Sequence, residues 1–340
     1  MAVILGPWMR RPMLTLQDLP APPADFSAGN PDNADFYSAF SRGCMPEFRQ
    51  GFFVAKEAGR RVCCIPYFVT DLELNILLPR GPLFAWLPKL SIPMACVGNP
   101  VTDLGRVEGE LTPEIIAEVT RRLGQKGRLI AWKGFGEDLP LNGYARVKGL
   151  PVPVIRLRGD YYASLKGSRR RGLRRKLKKS DSLRYEVVEG LPVSLLGRIY
   201  ALYLQTWEKA PLKFGRLGPD YFTRTSDGSI YLLFYLQGEL IGFCQLLGKG
   251  ALMMNAFGGL DYLHAYDYGL YATMLIRSVE VAEARGCTEI ELGSTSYAFK
   301  RILGAEQRPT WNYFQHQSRL LNWLLTRFSS LLEPSAEDLK

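Results

Sequence analysis

Residues 166–179, KGSRRRGLRRKLKK, hold nine lysines and arginines and no carboxylate, whereas the whole 340-residue chain carries 43 basic and 33 acidic residues, a net of +10. Without this stretch the balance would be 34 against 33. The excess charge is concentrated at one place in mid-chain, and such a block predicts a polyanionic partner there, because uncompensated like charges repel unless something offsets them. Arg169, Arg170, Arg171, Arg174 and Arg175 are the candidate contacts for that polyanion. The plain alternative is a solvated face with no partner.

Other chemistries find little support. With two histidines only, His264 and His316, neither a His-rich metal site nor an H-E-x-x-H helix can be built, so no metal is expected. A Ser-His-Asp triad has few ways to assemble, and Gly293-Ser294-Thr295-Ser296-Tyr297 is not a G-x-S-x-G elbow. Gly248-Lys249-Gly250 lacks the third glycine of a dinucleotide fingerprint. The six cysteines, scattered without a C-x-x-C pair, suit reduced, buried thiols in a cytoplasm. The N-terminal order, a short apolar run broken by Gly6 and Pro7 before Arg10 and Arg11, is the reverse of a signal peptide's. No run approaches the roughly 20 apolar residues of a membrane-spanning helix, and a soluble cytoplasmic protein is expected.

The elements that must position the basic segment are legible from periodicity. Tyr162, Leu165, Leu173 and Leu177 recur at about helical spacing, so one narrow stripe of the basic segment can pack while the other faces stay in water. Upstream, residues 52–55 and 62–68 read as a hairpin turning at 57–59. Thr112 and Pro113 open a helix as N-cap and first helical residue, and a strand, RLIAWKGF, follows it. PVPVIRL closes the first half. Downstream come a strand at LRYEVVEG and a helix with Leu196, Tyr200, Tyr203 and Trp207 on one side, the last a candidate to line the polyanion site. A second hairpin follows, over residues 230–247, turning at Gln237 to Glu239. The next strand is interrupted by Gly258 and Gly259, where a bulge or splay is expected. A helix carrying Met274, Leu275, Val279 and Ala282 ends at Gly286, and the strand TEIELG comes at once.

The two halves share an order of helix, hairpin, strand, capped helix and strand, which reads as a weak internal duplication joined by the basic segment. The expected organisation is a Pro-rich extended arm over 1–34, a first half over 35–158, a basic connecting helix over 159–182, a second half over 183–317, and an amphipathic helix and tail over 318–340.

Three stretches of the second half resemble the GNAT acyltransferase fold. Gln237-Gly238-Glu239-Leu240-Ile241-Gly242-Phe243 resembles its "dGkiVGf" hairpin. The helix from about Leu270 to Arg285 with TEIELG behind it resembles its acyl-CoA helix and following strand, and Phe299-Lys300-Arg301-Ile302-Leu303-Gly304-Ala305 resembles its "FYekLGF" segment, with Lys300 in place of the usual tyrosine. Over about residues 50–315, YYASLKGSRRRGLRRKLKK, LYLQTWEK and SYAFKRILGAE occur in the order and at about the spacing of the CelD/BcsL-type acetyltransferase-like proteins. These are similar in turn to the Fem-type aminoacyl transferases.

The resemblance implies an α/β (α+β) fold of tandem GNAT-like halves, each a mixed twisted sheet flanked by helices. It also implies acyl-CoA, with acetyl-CoA as the type case, as co-substrate, and no permanently bound cofactor. A donor pyrophosphate would meet backbone N–H groups at a helix N-terminus, here Tyr268, Gly269 and Leu270. The usual Q/R-x-x-G-x-G/A loop corresponds to Tyr266, Gly269 and Tyr271, so only its first glycine is kept. By the same resemblance Lys300 would stabilise an oxyanion or a substrate phosphate as a fixed positive charge, with Tyr297 as an alternative proton donor. An ordinary surface lysine is the competing reading for Lys300. Asp267 and Glu291 are candidate bases.

The expected function is transfer of an acyl group to an amine or hydroxyl of a cell-envelope or polysaccharide precursor, a small-molecule or glycan-precursor acceptor. Two other readings stay open. One is a Fem-like aminoacyl transferase whose basic segment meets tRNA, with binding that weakens steeply with salt. The other is a non-catalytic protein that uses the basic segment and the C-terminal helix at an anionic membrane surface.

Overall fold

The computed structural model describes residues 14–27, 30–40, 44–73, 90–136, 139–210, 215–248 and 250–339. In chain order the elements of the first part are β1 (Leu14–Leu19), α1 (Ala34–Ala39), β2 (Arg49–Glu57), β3 (Arg60–Glu73), β4 (Ser91–Val97), β5 (Glu108–Gly109), α2 (Pro113–Gly124), β6 (Leu129–Phe135) and β7 (Ala145–Lys148). Next are β8 (Val152–Arg156), α3 (Tyr161–Ser164), α4 (Gly167–Lys178), β9 (Arg184–Glu189), α5 (Leu196–Lys209), α6 (Pro219–Arg224), β10 (Ser229–Leu236), β11 (Glu239–Leu247) and β12 (Leu252–Leu260). The chain closes with α7 (Leu270–Ala284), β13 (Glu289–Glu291), α8 (Tyr297–Ile302), β14 (Glu306–Arg308), β15 (Trp311–His316) and α9 (Arg319–Arg327).

Both expected hairpins form, and their turns show why. Ala58 and Gly59 (φ 49° and 79°), and Gln237 and Gly238 (φ 50° and 92°), each place two residues at positive φ. That is the two-residue turn whose twist matches antiparallel strands, and a glycine in the second place lowers its cost. In α2, Thr112 accepts the Ile115 N–H as N-cap with Pro113 in the first turn, as the sequence predicts.

Among the described residues the strands make two mixed sheets, β1-β2-β3-β4-β6-β15-β7 with β5 beside β3, and β14-β8-β13-β12-β11-β10-β9. The β4–β6 and β12–β13 pairs are parallel, and the others antiparallel. The expected halves do not coincide with the sheets. Val152–Arg156, counted with the first half, pairs with β13 and β14, while Trp311–His316, counted with the second, lies between β6 and β7. Each sheet is therefore completed by a strand from the other half. The segment expected as an extended arm contains the edge strand β1, paired with β2, and Pro20 follows the strand without interrupting it. Residues 1–13 of the arm lie outside the described residues.

The packing forms layers. One face of the first sheet covers α2, through Phe53, Ile65, Ala95, Ile130, Ile115 and Val119. Its other face shares a single core with α1, α5, α6 and one face of the second sheet, through Phe52, Phe68, Phe36, Leu202, Tyr221, Phe243 and Tyr231. The far face of the second sheet covers α4 and α7, through Leu173, Leu270, Ile276, Leu232, Leu246 and Ile290. Burial at about 25 cal/mol per Å² of apolar surface makes this shared middle layer the main tie between the sheets.

The glycine pair of β12 does not interrupt the strand. The register shift falls where Gln245 faces Phe257 and Leu246 faces Asn255. Gly259 serves close approach instead: a β-carbon there would lie 2.5 Å from the carbonyl carbon of Leu202 and 2.6 Å from the Tyr203 nitrogen, both on α5. Among the described residues, no helix is long and apolar enough to cross a membrane.

Candidate functional site

The parallel pairing of β12 with β13 spans three residues only, from Leu252 opposite Glu289 to Met254 opposite Glu291. Beyond it β12 runs on to Leu260, while the other chain turns away through Leu292 and Gly293 into α8. The strands part here and leave a wedge whose far wall is the turn 292–296. That turn is conformationally demanding, with Gly293 at φ 54° and Ser296 at φ 51°, and a non-glycine residue at positive φ costs energy that the surroundings must supply.

Side chains from both halves hold the turn. Asp103, on the loop after β4, accepts the Ser294 N–H at 2.8 Å. Pro151, just before β8, offers its carbonyl to the Ser294 hydroxyl at 3.2 Å and to the Tyr297 hydroxyl at 2.9 Å. Lys300 lies one turn along α8 from Tyr297 and donates from Nζ to the Gly293 carbonyl at 2.7 Å. It is only 2% exposed, so it is not an ordinary surface lysine. Burial pulls its ammonium down to about 8, opposed by the negative charge of Asp103.

Tyr297 is buried, which pushes its phenol up to about 12, opposed by a hydrogen bond with Ser294. Its proton is spent on Pro151, so it ties the turn to β8; acting as a proton donor would first require breaking that bond. Of the two candidate bases, Glu291 is committed elsewhere. Its Oε1 is 2.7 Å from Arg106, which also reaches Asp32 at 2.6 Å, and 3.7 Å from Arg308. Burial raises the Glu291 carboxyl, and Arg106 opposes the rise. The network joins the halves and holds Glu291 through its Oε1 in a buried ion-pair cluster. Asp267 is exposed on the loop before α7.

The backbone expected to face a phosphate is used within its own loop. Tyr268 donates to the His264 carbonyl at 3.4 Å, Gly269 to Tyr266 at 3.3 Å and Leu270 to Ala265 at 3.0 Å. The N–H groups that helix geometry leaves without an i−4 acceptor are the next two, those of Tyr271 and Ala272. Tyr271 also fills space that a glycine or alanine would leave open. Its ring centroid is 6.3 Å from that of Phe299, and its phenol is raised by burial, a rise that Ser296 and Thr295 in the turn oppose.

The basic segment is held against this site by its apolar stripe. Leu173 is fully buried, and Tyr162, Leu165 and Leu177 pack on the same core as α7. Tyr161 donates to the Leu303 carbonyl at 2.9 Å, and the Thr273 and Ser180 hydroxyls meet at 2.8 Å. Lys176 Nζ is 5.2 Å from the Phe299 ring centroid, next in sequence to Lys300. Arg169, Arg171, Arg174 and Arg175 are exposed and Arg170 half-buried; none of them forms an ion pair with a described carboxylate. Trp207 is not with them. It packs into the core on the opposite face of the second sheet and gives its indole N–H to the Gly215 carbonyl at 2.6 Å.

Sequence reasoning brings Lys300, Tyr297, Gly269 and the basic segment to one region and misses Asp103, Pro151 and Ser294. Asp103 is 191 residues from its partner Ser294, and no local pattern marks it. Tyr271 is legible in the sequence as the departure from the small-residue loop, though its packing against Phe299 is not.

Residues 167–301 match the acetyltransferase (GNAT) domain family, which is less than half of the chain. No curated protein matches the sequence. In three dimensions the chain is similar to the L-PGS structure from Bacillus licheniformis, with TM-score 0.57 and 15% identity over 88% of this chain and 98% of that one. It is similar to the C-terminal DUF2156 domain of a lysylphosphatidylglycerol synthetase candidate from Agrobacterium fabrum, with TM-score 0.56 and 15% identity over 90% and 93%. It is also similar to FemX, with TM-score 0.53 and 10% identity over 83% and 91%. At these identities the likeness is one of fold: the chain is a mixed α/β protein with two mixed sheets flanked by helices, and its residues 167–301 match the GNAT domain.

Proposed function

We propose that the protein is an acyltransferase that moves an acyl group, taken from acyl-CoA, onto an amine or hydroxyl of a phosphate-bearing cell-envelope or polysaccharide precursor, in the manner of the CelD/BcsL-type proteins. The observation that carries the reading is Lys300: a buried lysine, tied to the Gly293 carbonyl and faced by Asp103, in the segment that matches the GNAT domain. Acyl transfer passes through a tetrahedral oxyanion, and a fixed, buried cation stabilises that charge more than it stabilises the neutral carbonyl. Lys176 and Lys179, beside the start of α7, supply positive charge for the donor's phosphates, and the Tyr271 and Ala272 N–H groups supply hydrogen bonds. Six free and buried cysteines agree with a reducing compartment such as the cytoplasm. Activity with acetyl-CoA across a panel of amine and hydroxyl acceptors tests the reading; Lys300→Ala that transfers as fast as the wild type would overturn it.

One observation favours a second reading, a Fem-like transferase that takes its aminoacyl group from tRNA. Tyr271 stands where GNAT donors pass small residues, and a wedge so filled has less room for a pantetheine arm. The nine cations of the basic segment would then meet the tRNA backbone, with affinity that falls steeply between low and moderate salt.

A further inference from the structure

The nine cations of residues 166–179 have a neighbour that periodicity gave no reason to connect with them, the loop 261–269 before α7. Gly269, at φ 57°, lies so close to the end of α4 that a β-carbon on it would be 3.8 Å from the Lys179 β-carbon and 3.9 Å from the Lys176 carbonyl oxygen. On the loop's other flank Lys209 Nζ stands 4.0 Å from the ring centroid of Tyr262. Between the two cationic flanks the loop presents Leu263, 78% exposed, and Tyr266, 86% exposed.

These side chains are held outward. The Asp261 carboxylate accepts the Leu263 N–H at 3.0 Å, the Asp261 carbonyl accepts those of His264 and Ala265, and the Tyr266 carbonyl accepts that of Gly269. Two apolar tips on a pinned loop gain nothing from water. The carboxylates nearby are few: Asp261 is paired with Arg198 at 3.0 Å, and Asp181 and Asp267 are exposed.

We infer that α4 and the Leu263–Tyr266 loop form a docking surface for an anionic lipid bilayer, the cations meeting headgroup phosphates and the two tips entering the boundary with the acyl chains. Charge complementarity and apolar tips between cations are the pairing that interfacial binding requires. An RNA would engage the cations and could stack on Tyr266, but the aliphatic Leu263 has no comparable partner on a sugar–phosphate chain. The inference assigns where the protein works, independently of what it transfers.

The test is flotation of the full chain with vesicles of phosphatidylcholine alone or with about one-third phosphatidylglycerol, at low salt and at about 0.5 M salt, with no acyl donor present. Recovery with anionic vesicles at low salt should exceed that with neutral ones by about tenfold, and high salt should remove most of it. The neutral pair Leu263→Gln with Tyr266→Gln should lower anionic recovery severalfold at unchanged net charge, and so should Arg174→Gln with Arg175→Gln, each with a thermal midpoint like the wild type's. Equal recovery with both vesicle types overturns the inference. So does full recovery of the Leu263→Gln, Tyr266→Gln chain, or salt-sensitive tRNA binding without any lipid binding. Because the assay contains no transfer step, a failure here is distinct from a failure of the acyltransferase reading.

Discussion

Replacing Lys300 by methionine should stabilise the protein near neutral pH while it removes activity. An exposed lysine titrates at about 10.4; burial brings Lys300 down to about 8, so its charge at pH 7 costs the folded state about 3 kcal/mol. Methionine keeps the length and removes the charge, but it leaves the Gly293 carbonyl without its donor, a loss of about 1 kcal/mol. The net expectation is a gain of about 2 kcal/mol at pH 7. The pH dependence follows from the direction of the shift: between about 8 and 10.4 the unfolded chain holds more protons than the folded one, so wild-type stability rises with pH across that window. The advantage of the variant is full below pH 8 and should disappear by about pH 10.4. Urea unfolding midpoints of both proteins at pH 7 and pH 10 measure this. A variant that is no more stable than the wild type at pH 7, with a difference that does not change with pH, would refute the burial of a charged Lys300. A residue that costs stability in place is one that a catalytic role explains.

Four further outcomes follow from the same geometry. If the charged ammonium stabilises the oxyanion, transfer should fall as pH rises through about 8. Asp103→Asn removes the charge that opposes the lowering of Lys300, so the falling limb of the pH–rate profile should move to lower pH; an unmoved limb would remove Asp103 from the site. Arg106→Met leaves the buried Asp32 without its partner and Glu291 with only the 3.7 Å contact to Arg308, and should cost about 3–5 kcal/mol, less in acid where the carboxyls are protonated, as thermal midpoints at pH 5 and pH 7.5 would show. Gly259→Ala drives a methyl into the α5 backbone and should cost about 1–3 kcal/mol, measured by urea unfolding.

What the sequence made legible is what local rules determine. The turns at Gly59 and Gly238 and the Thr112 cap each rest on residues a few positions apart and form as read, whereas the apolar stripe of the basic segment packs as expected but on two helices, because the chain leaves helical geometry at Leu165 and Lys166 between α3 and α4. The exchange of β8 and β15 could not be read this way. Each strand has the burial pattern of an ordinary strand, and what decides its sheet is a pairing with residues more than a hundred positions away. The same holds for the site. Tyr297 and Lys300 fall on one face of a short helix, which spacing shows, but the depth of that face comes from Asp103 and Pro151 in the other half. Trp207 lies against the core on one face of the second sheet and the arginines on the other, a separation that helical periodicity does not show.

The most direct test of the central claim is calorimetric titration of the full chain with acetyl-CoA and, separately, with total tRNA, at low and moderate salt. The account predicts acetyl-CoA binding that weakens about tenfold or more when Lys176 and Lys179 are both changed to glutamate beside the start of α7, with little or no binding of tRNA. Tight, salt-sensitive tRNA binding with no heat from acetyl-CoA would contradict it and leave aminoacyl transfer as the reading to pursue.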